Sequence, residues 1–238
     1  MRRLLDLQQK SALRRESGLF VVEGRRELQH CIEAGYEVDT LFVCPEFCSD
    51  KLPTASHCVA VSPEVYARMA YRGTTEGIIA EVRTRRLRLS DLRLPAHPLI
   101  VVLESVEKPG NLGAVLRSAD AAQVDAVVVC DPLTDLFNPN LIRSSLGALF
   151  TVPTLACDSA ECIDFLHKKG IKILTAQLQD SHLYYDTDMR EGVAIVMGTE
   201  STGLTDQWRK AADAHIRIPM FGRLDSLNVS VSAAILMM

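Results

Sequence analysis

Four stretches of this 238-residue chain are nearly unbroken runs of apolar residues: "LIVVLESV" (99–106), "AVVVC" (126–130), "IKILTA" (171–176) and "VAIVMG" (193–198). A strand wetted on one side alternates apolar and polar residues, so continuous runs belong to strands covered on both faces. With helical stretches between them, they predict an α/β domain with a mainly parallel sheet. Ligands of such sheets bind beyond the carboxyl ends of the strands. Those ends are where chemistry is expected, and here they run into four unusual loops.

The chain ahead of these runs alternates shorter elements. "GLFVVEG" (18–24) reads as a strand ended by Gly24, "RRELQHCIEAG" (25–35) as a helix closed by Gly35, and "VDTLFVC" (38–44) as a second strand. "PEVYARMAY" is a short helix with Pro63 in its first turn, and "GIIAEVR" returns as a strand. Then "RRLRLSDLRLPAHP" breaks the pattern with charges and two prolines, as an interdomain linker does. The predicted organisation is a small α/β domain at 1–84, a linker at 85–97 and the parallel-sheet domain at 98–238.

Composition narrows the class. With 47% hydrophobic and 24% charged residues the chain is globular, and no apolar run approaches the ~20 residues of a membrane span. The N-terminus lacks a signal-peptide apolar segment, so a cytoplasmic location is expected. Seven scattered cysteines do not make a disulfide framework. Cys44, Cys48, His57 and Cys58 are ligand types that suit zinc, but no Cys-x-x-Cys pair is present and Cys44 ends an apolar stretch like a core residue, so no metal site is expected there.

Residues 1–97 carry 15 Lys and Arg against 13 Asp and Glu, and the remainder 11 against 17. Basic clusters lie at Arg2, Arg3, Lys10, Arg14, Arg15, Arg25 and Arg26, and at Arg83, Arg85, Arg86, Arg88 and Arg93. They can meet phosphates or serve as solvated faces.

Among the strand-end loops, "KPGNLGAVLRSADAA" turns on Pro109-Gly110 and starts a helix near Asn111, a good capping residue. Arg117, six residues on, and Asn111 can flank one cleft, or they are a cap and a surface arginine. The phosphate-cradling patterns G-x-G-x-x-G and G-x-x-x-x-G-K-[ST] are absent, which argues against a dinucleotide or P-loop enzyme. "NPNLIRSSLGAL" joins a turn, a cation at Arg143 and a glycine-permitted close approach at Gly147, and a helix entry explains it as well. "GTESTGL" wraps Glu200 between Gly198 and Gly203. In "IPMFGRLDSLNVSVSAAILMM", Ser226, Asn228 and Ser230 alternate with apolar residues like a strand, yet they precede a helix-forming run whose unpaired N–H groups suit a polar ligand.

In order and spacing, "NLGAVLRSADA", "VMGTESTGL" and "IPMFGRLDSLNVSVSAAI" closely resemble the three signature motifs of the SpoU/TrmH family of RNA 2′-O-methyltransferases, in the SPOUT superfamily. The resemblance covers 98–238. "FVVEGRRELQHCIEAG" and "TTEGIIAEV" resemble the substrate-binding domain that often precedes this core.

The resemblance implies a deep trefoil knot, an exception to the rule that chains do not thread loops. It implies S-adenosylmethionine held by main-chain contacts at Gly198, Ile218, Met220 and Leu227, and no metal. It places Arg117 at the centre of catalysis, with Asn111, Glu200, Ser226 and Asn228 shaping the site. An arginine is effectively always protonated, so a guanidinium clamp on phosphate and developing alkoxide is the better physical role than general base.

A homodimer is implied, with RNA as partner and ribosomal RNA favoured over transfer RNA. A net charge of −4 points to modest, salt-sensitive RNA affinity. The ribose hydroxyl excludes DNA as substrate. The alternatives are a transfer-RNA ribose methyltransferase and a non-catalytic RNA-binding protein that keeps the knot. In the family the last helix usually continues past the position of Met238 with charged residues, so further C-terminal residues are expected.

Overall fold

The computed structural model describes residues 1–48, 51–71, 76–199, 202–224 and 226–238. In chain order the elements are α1 (Arg2–Gln9), α2 (Ser11–Ser17), β1 (Leu19–Glu23), α3 (Arg25–Glu33), β2 (Val38–Val43), β3 (His57–Ala60), α4 (Pro63–Met69) and β4 (Ile78–Arg83). They continue as β5 (Leu99–Glu104), α5 (Pro109–Ala121), β6 (Ala126–Cys130), α6 (Pro139–Ser144), α7 (Ala148–Thr151), β7 (Thr154–Cys157), α8 (Ser159–Lys169) and β8 (Lys172–Ala176). The last are β9 (His182–Leu183), β10 (Val193–Met197), α9 (Asp206–Ala211), β11 (Ala214–Arg217) and α10 (Val229–Met237). Two compact units form: 1–86 with 135–151, and 87–134 with 152–238.

In the first unit the strands lie in the order β1-β4-β2-β3, with β4 antiparallel to both β1 and β2 and β3 parallel to β2. Leu4 and Leu7, three apart and so on one face of α1, are fully buried with Tyr66 and Met69 of α4 against Val21, Phe42 and Ile79 of the sheet. Ser62 caps α4 by accepting from Val65 N, with Pro63 in its first turn. Gly35, at φ +82°, closes α3 as expected.

The sequence gives no sign of β3: all four of its residues are exposed, so burial leaves no apolar pattern to read. Nor does chain order reveal that residues 135–151 pack with the first unit. The ring of Phe137 stacks on Phe20 with centroids 4.5 Å apart, and Phe150 meets Tyr36 edge-on at 5.3 Å. Gly147, at φ +87°, sits where a Cβ would lie 2.9 Å from His30 Cδ2, so the close approach this glycine permits is to α3.

Several basic residues near the start turn out to hold this unit together. Arg14 is only 3% exposed; its Nε pairs with Asp135 Oδ2 at 2.6 Å and its Nη1 donates to Leu7 O. Arg3 and Arg83 bracket the carboxylates of Asp39 and Glu81. Arg2, Arg15, Arg26 and Arg86 remain exposed.

The second unit is a seven-stranded sheet, β7-β6-β5-β10-β8-β11-β9, in which every named strand pair is parallel. The expected runs form β5, β6, β8 and β10, and β6 and β10 are buried along their whole length. Leu89, with Leu87, Leu92 and Leu94 around it, packs into this core. Trp208 of α9 is fully buried and donates from Nε1 to Ser159 Oγ at 2.9 Å. From β5 the chain steps outward through β6 to β7, then crosses so that β10 fills the place between β5 and β8. That reversal puts a crevice at the carboxyl ends of β5 and β10.

Candidate active site

The crevice is built first by backbone. Glu104 ends β5 with a carboxylate only 2% exposed, and that carboxylate accepts from Thr205 N at 2.8 Å and from Thr205 Oγ1 at 2.6 Å. A buried charge must be hydrogen-bonded, so the loop after β10 is tied to the end of β5. The loop also closes on itself: Thr199 bridges Gly203, and Gly203 N donates to Thr199 O. A Cβ on Gly198 would lie 2.3 Å from the carbonyl of Gly203 and 2.6 Å from Leu204 N, so only glycine fits.

Beyond these strand ends lies a cavity of about 380 Å³. Gly198, Ile218, Met220 and Leu227, the four residues expected to hold a cofactor, all line it, as does Ser226. Gln177, just after β8, also lines it; its Nε2 donates to Gln179 O, whereas its buried Oε1 has no hydrogen-bond partner among the described residues. Arg209 and Arg217 add cations to the wall. A buried acceptor left unpaired costs ~1–3 kcal/mol, so this wall is built for a ligand that donates hydrogen bonds.

A second cavity, about 160 Å³, is lined by Lys108, Asn111 and Val106, and shares Gly198, Thr199 and Val229 with the first. α5 begins at Pro109 rather than at Asn111, because proline's fixed φ suits the first helical position. Asn111 thus lies inside the first turn, where its Oδ1 accepts from Asn228 Nδ2 at 3.3 Å. Asn228 caps α10: its Oδ1 accepts from Ser230 N at 3.0 Å and Ser230 Oγ at 2.6 Å. The strand-like alternation before α10 forms no strand.

Of the five expected catalytic residues, then, Asn111 and Asn228 touch, and Ser226 faces the larger cavity. Arg117 is exposed on α5 and lines neither cavity. Six residues of α-helix turn about 600°, leaving Arg117 roughly 120° around the helix from Asn111, so the two do not flank one cleft. Glu200 lies outside the described residues. Sequence reading missed Glu104 and Gln177. A carboxylate ending an otherwise apolar strand was the available signal for the first; nothing marked the second.

Residues 98–238 match the family model described as SpoU rRNA Methylase family, and residues 1–80 match the MRM3-like substrate binding domain. The chain belongs to the SpoU rRNA methylase family. Among SpoU relatives it is 29% identical over 224 residues to the 23S rRNA (guanosine(2553)-2′-O)-methyltransferase RlmP of Bacillus subtilis, covering 94% of this chain and 88% of that one. A crystal structure of an RNA 2′-O ribose methyltransferase is 36% identical, with TM-score 0.82, over 99% of this chain and 92% of that one. The AdoMet-bound rRNA methyltransferase from Sinorhizobium meliloti is 25% identical, with TM-score 0.89, over 99% and 91%. The α/β architecture expected from the apolar runs is therefore that of the SpoU fold.

Proposed function

We propose that this chain methylates a ribose 2′-hydroxyl of ribosomal RNA with S-adenosylmethionine as donor. The observation that carries the reading is the pair of cavities that adjoin at Gly198, Thr199 and Val229. The larger is within the ~300–1,000 Å³ usual for small-molecule sites. Its residues fit the cofactor: Gln177 Oε1 accepts from an amine, Arg209 or Arg217 meets a carboxylate, and the main chain at Gly198, Ile218, Met220 and Leu227 takes the nucleoside.

Bound there, S-adenosylmethionine would supply a methyl group activated by its sulfonium for transfer to the ribose oxygen. The chain has to position that oxygen and stabilise the charge it gains when its proton leaves to phosphate or water. Asn111, held from behind by Asn228, gives the smaller cavity a polar wall, and Lys108 gives it a cation for a neighbouring phosphate. Arg117, always protonated, clamps phosphate and alkoxide rather than acting as base.

Arg117's exposure supports a shared site, in which a second copy's arginine reaches the cavity. Exposed apolar residues on the last segment, Phe221, Leu224 and Val231 among them, support the homodimer that this requires. The family's knot belongs to the same reading, supported by the return of α10 onto α5 after the cavity-lining loop. The first unit grips RNA through exposed arginines such as Arg15, Arg26 and Arg86. Arg117→Ala tests the assignment: methyl transfer should be abolished while cofactor affinity, measured by calorimetry, stays within about twofold. Near-normal turnover in that variant would remove Arg117 from the mechanism.

A further inference from the structure

The far flank of the parallel sheet brings together three residues that the sequence keeps apart. Cys130 ends β6, Cys157 ends β7 as its register partner, and Cys162 lies one turn into α8. Their three Sγ atoms all lie within 4.8 Å of one another, and among the described residues this is the group of His, Cys and acidic side chains placed to hold a metal ion. Cys130 and Cys162 are fully buried, while Cys157 is partly exposed. None of the three lines the cofactor cavity.

Buried thiols often serve only as small apolar side chains, and Leu155 and Leu166 in the same cluster agree with that role. Convergence of three sulfurs is a stronger condition than burial. At Zn–S distances of ~2.3 Å, three thiolates on one ion sit roughly 3.8–4.0 Å apart, a spacing reached here by small side-chain adjustments. The N-terminus of α8 adds a positive potential beside the cluster.

We propose that Cys130, Cys157 and Cys162 form a three-thiolate zinc site, separate from the methyl-transfer centre, with water as fourth ligand on the open Cys157 side. A divalent ion leaves three thiolates with one net negative charge, against two for a monovalent one, and a buried site favours the smaller charge. Binding releases the thiol protons to solvent and involves no redox change. The ion fastens the ends of β6 and β7 to α8, so its role is structural.

The full chain, reduced and stripped with a chelator, is titrated with Co²⁺ as a spectroscopic probe and then with Zn²⁺. The expected result is a thiolate-to-cobalt charge-transfer band that saturates at one equivalent, is displaced by Zn²⁺, and accompanies a rise in melting temperature. Cys157→Ala, at the partly exposed position, should weaken binding by more than ~100-fold, since loss of mere outer-shell support already costs ~10–100-fold. Cys44→Ala should leave binding unchanged. The titration of the unaltered chain needs no variant to fold. Absence of the band overturns the proposal, as does an unchanged affinity in Cys157→Ala or oxidation to a disulfide without metal uptake.

Discussion

Asn228 donates from Nδ2 to Oδ1 of Asn111 over 3.3 Å, joining the first turns of two helices 117 residues apart in the chain. Because Asn228 Oδ1 also caps α10, one side chain both starts that helix and pins it to α5. The placement of the smaller cavity's polar edge depends on this bond.

The pair should therefore couple. Asn228→Ala is expected to cost ~1 kcal/mol from the lost cap alone. In a double-mutant cycle with Asn111→Ala, followed by chemical denaturation, the two changes should fall short of additivity by about 0.5–1.5 kcal/mol. Additivity within ~0.3 kcal/mol would mean that the bond does not hold the helices together.

Gly198 and Gly222 should respond oppositely to alanine. A Cβ at 198 meets the backbone of Gly203 at 2.3 Å, so the loop must open; cofactor affinity should fall at least tenfold while circular dichroism keeps its native shape. At Gly222 nothing among the described residues lies within 4 Å of the added atom, and affinity should be unchanged within about twofold. Calorimetric titration of both variants with S-adenosylmethionine separates these outcomes.

Glu104→Gln keeps the shape of the side chain but removes the charge that receives two hydrogen bonds from Thr205. The amide oxygen can still accept from Thr205 N while its NH₂ donates to Thr205 Oγ1, so only the charge assistance is lost; a fall of ~0.5–1.5 kcal/mol in stability is expected, with weaker cofactor binding, because the loop after β10 loosens. Unchanged melting and affinity would show that Glu104 does not organise the loop.

Asp135→Ala leaves the buried Arg14 guanidinium without its carboxylate and should destabilise the chain by about 3–5 kcal/mol, followed by far-ultraviolet circular dichroism in urea. The double change Arg14→Met, Asp135→Leu should recover most of that loss, since it removes the uncompensated charge.

What could be read in advance followed from burial. β5, β6 and β10 were legible because both faces are covered and their positions, Glu104 apart, are apolar. β3 was not legible, because exposed strands carry no periodicity. The structural use of Arg14 was hidden because its partner is 121 residues away, and a buried ion pair looks in sequence like part of a basic cluster. Asn111 and Asn228 were visible as polar residues near helix starts, but their bond belongs to the tertiary fold. The convergence of Cys130, Cys157 and Cys162 was invisible for the same reason: strand order, and no local spacing, brings them together.

The central claim is tested most directly by incubating the purified chain with S-adenosylmethionine carrying a labelled methyl group and with ribosomal RNA, then hydrolysing the RNA in alkali. Methylation at a ribose 2′-oxygen blocks cleavage at that linkage, so the expected result is label in alkali-resistant dinucleotides, with transfer RNA and DNA unlabelled. Label recovered in mononucleotides, and so on a base, or no incorporation despite cofactor binding, would contradict the proposed function.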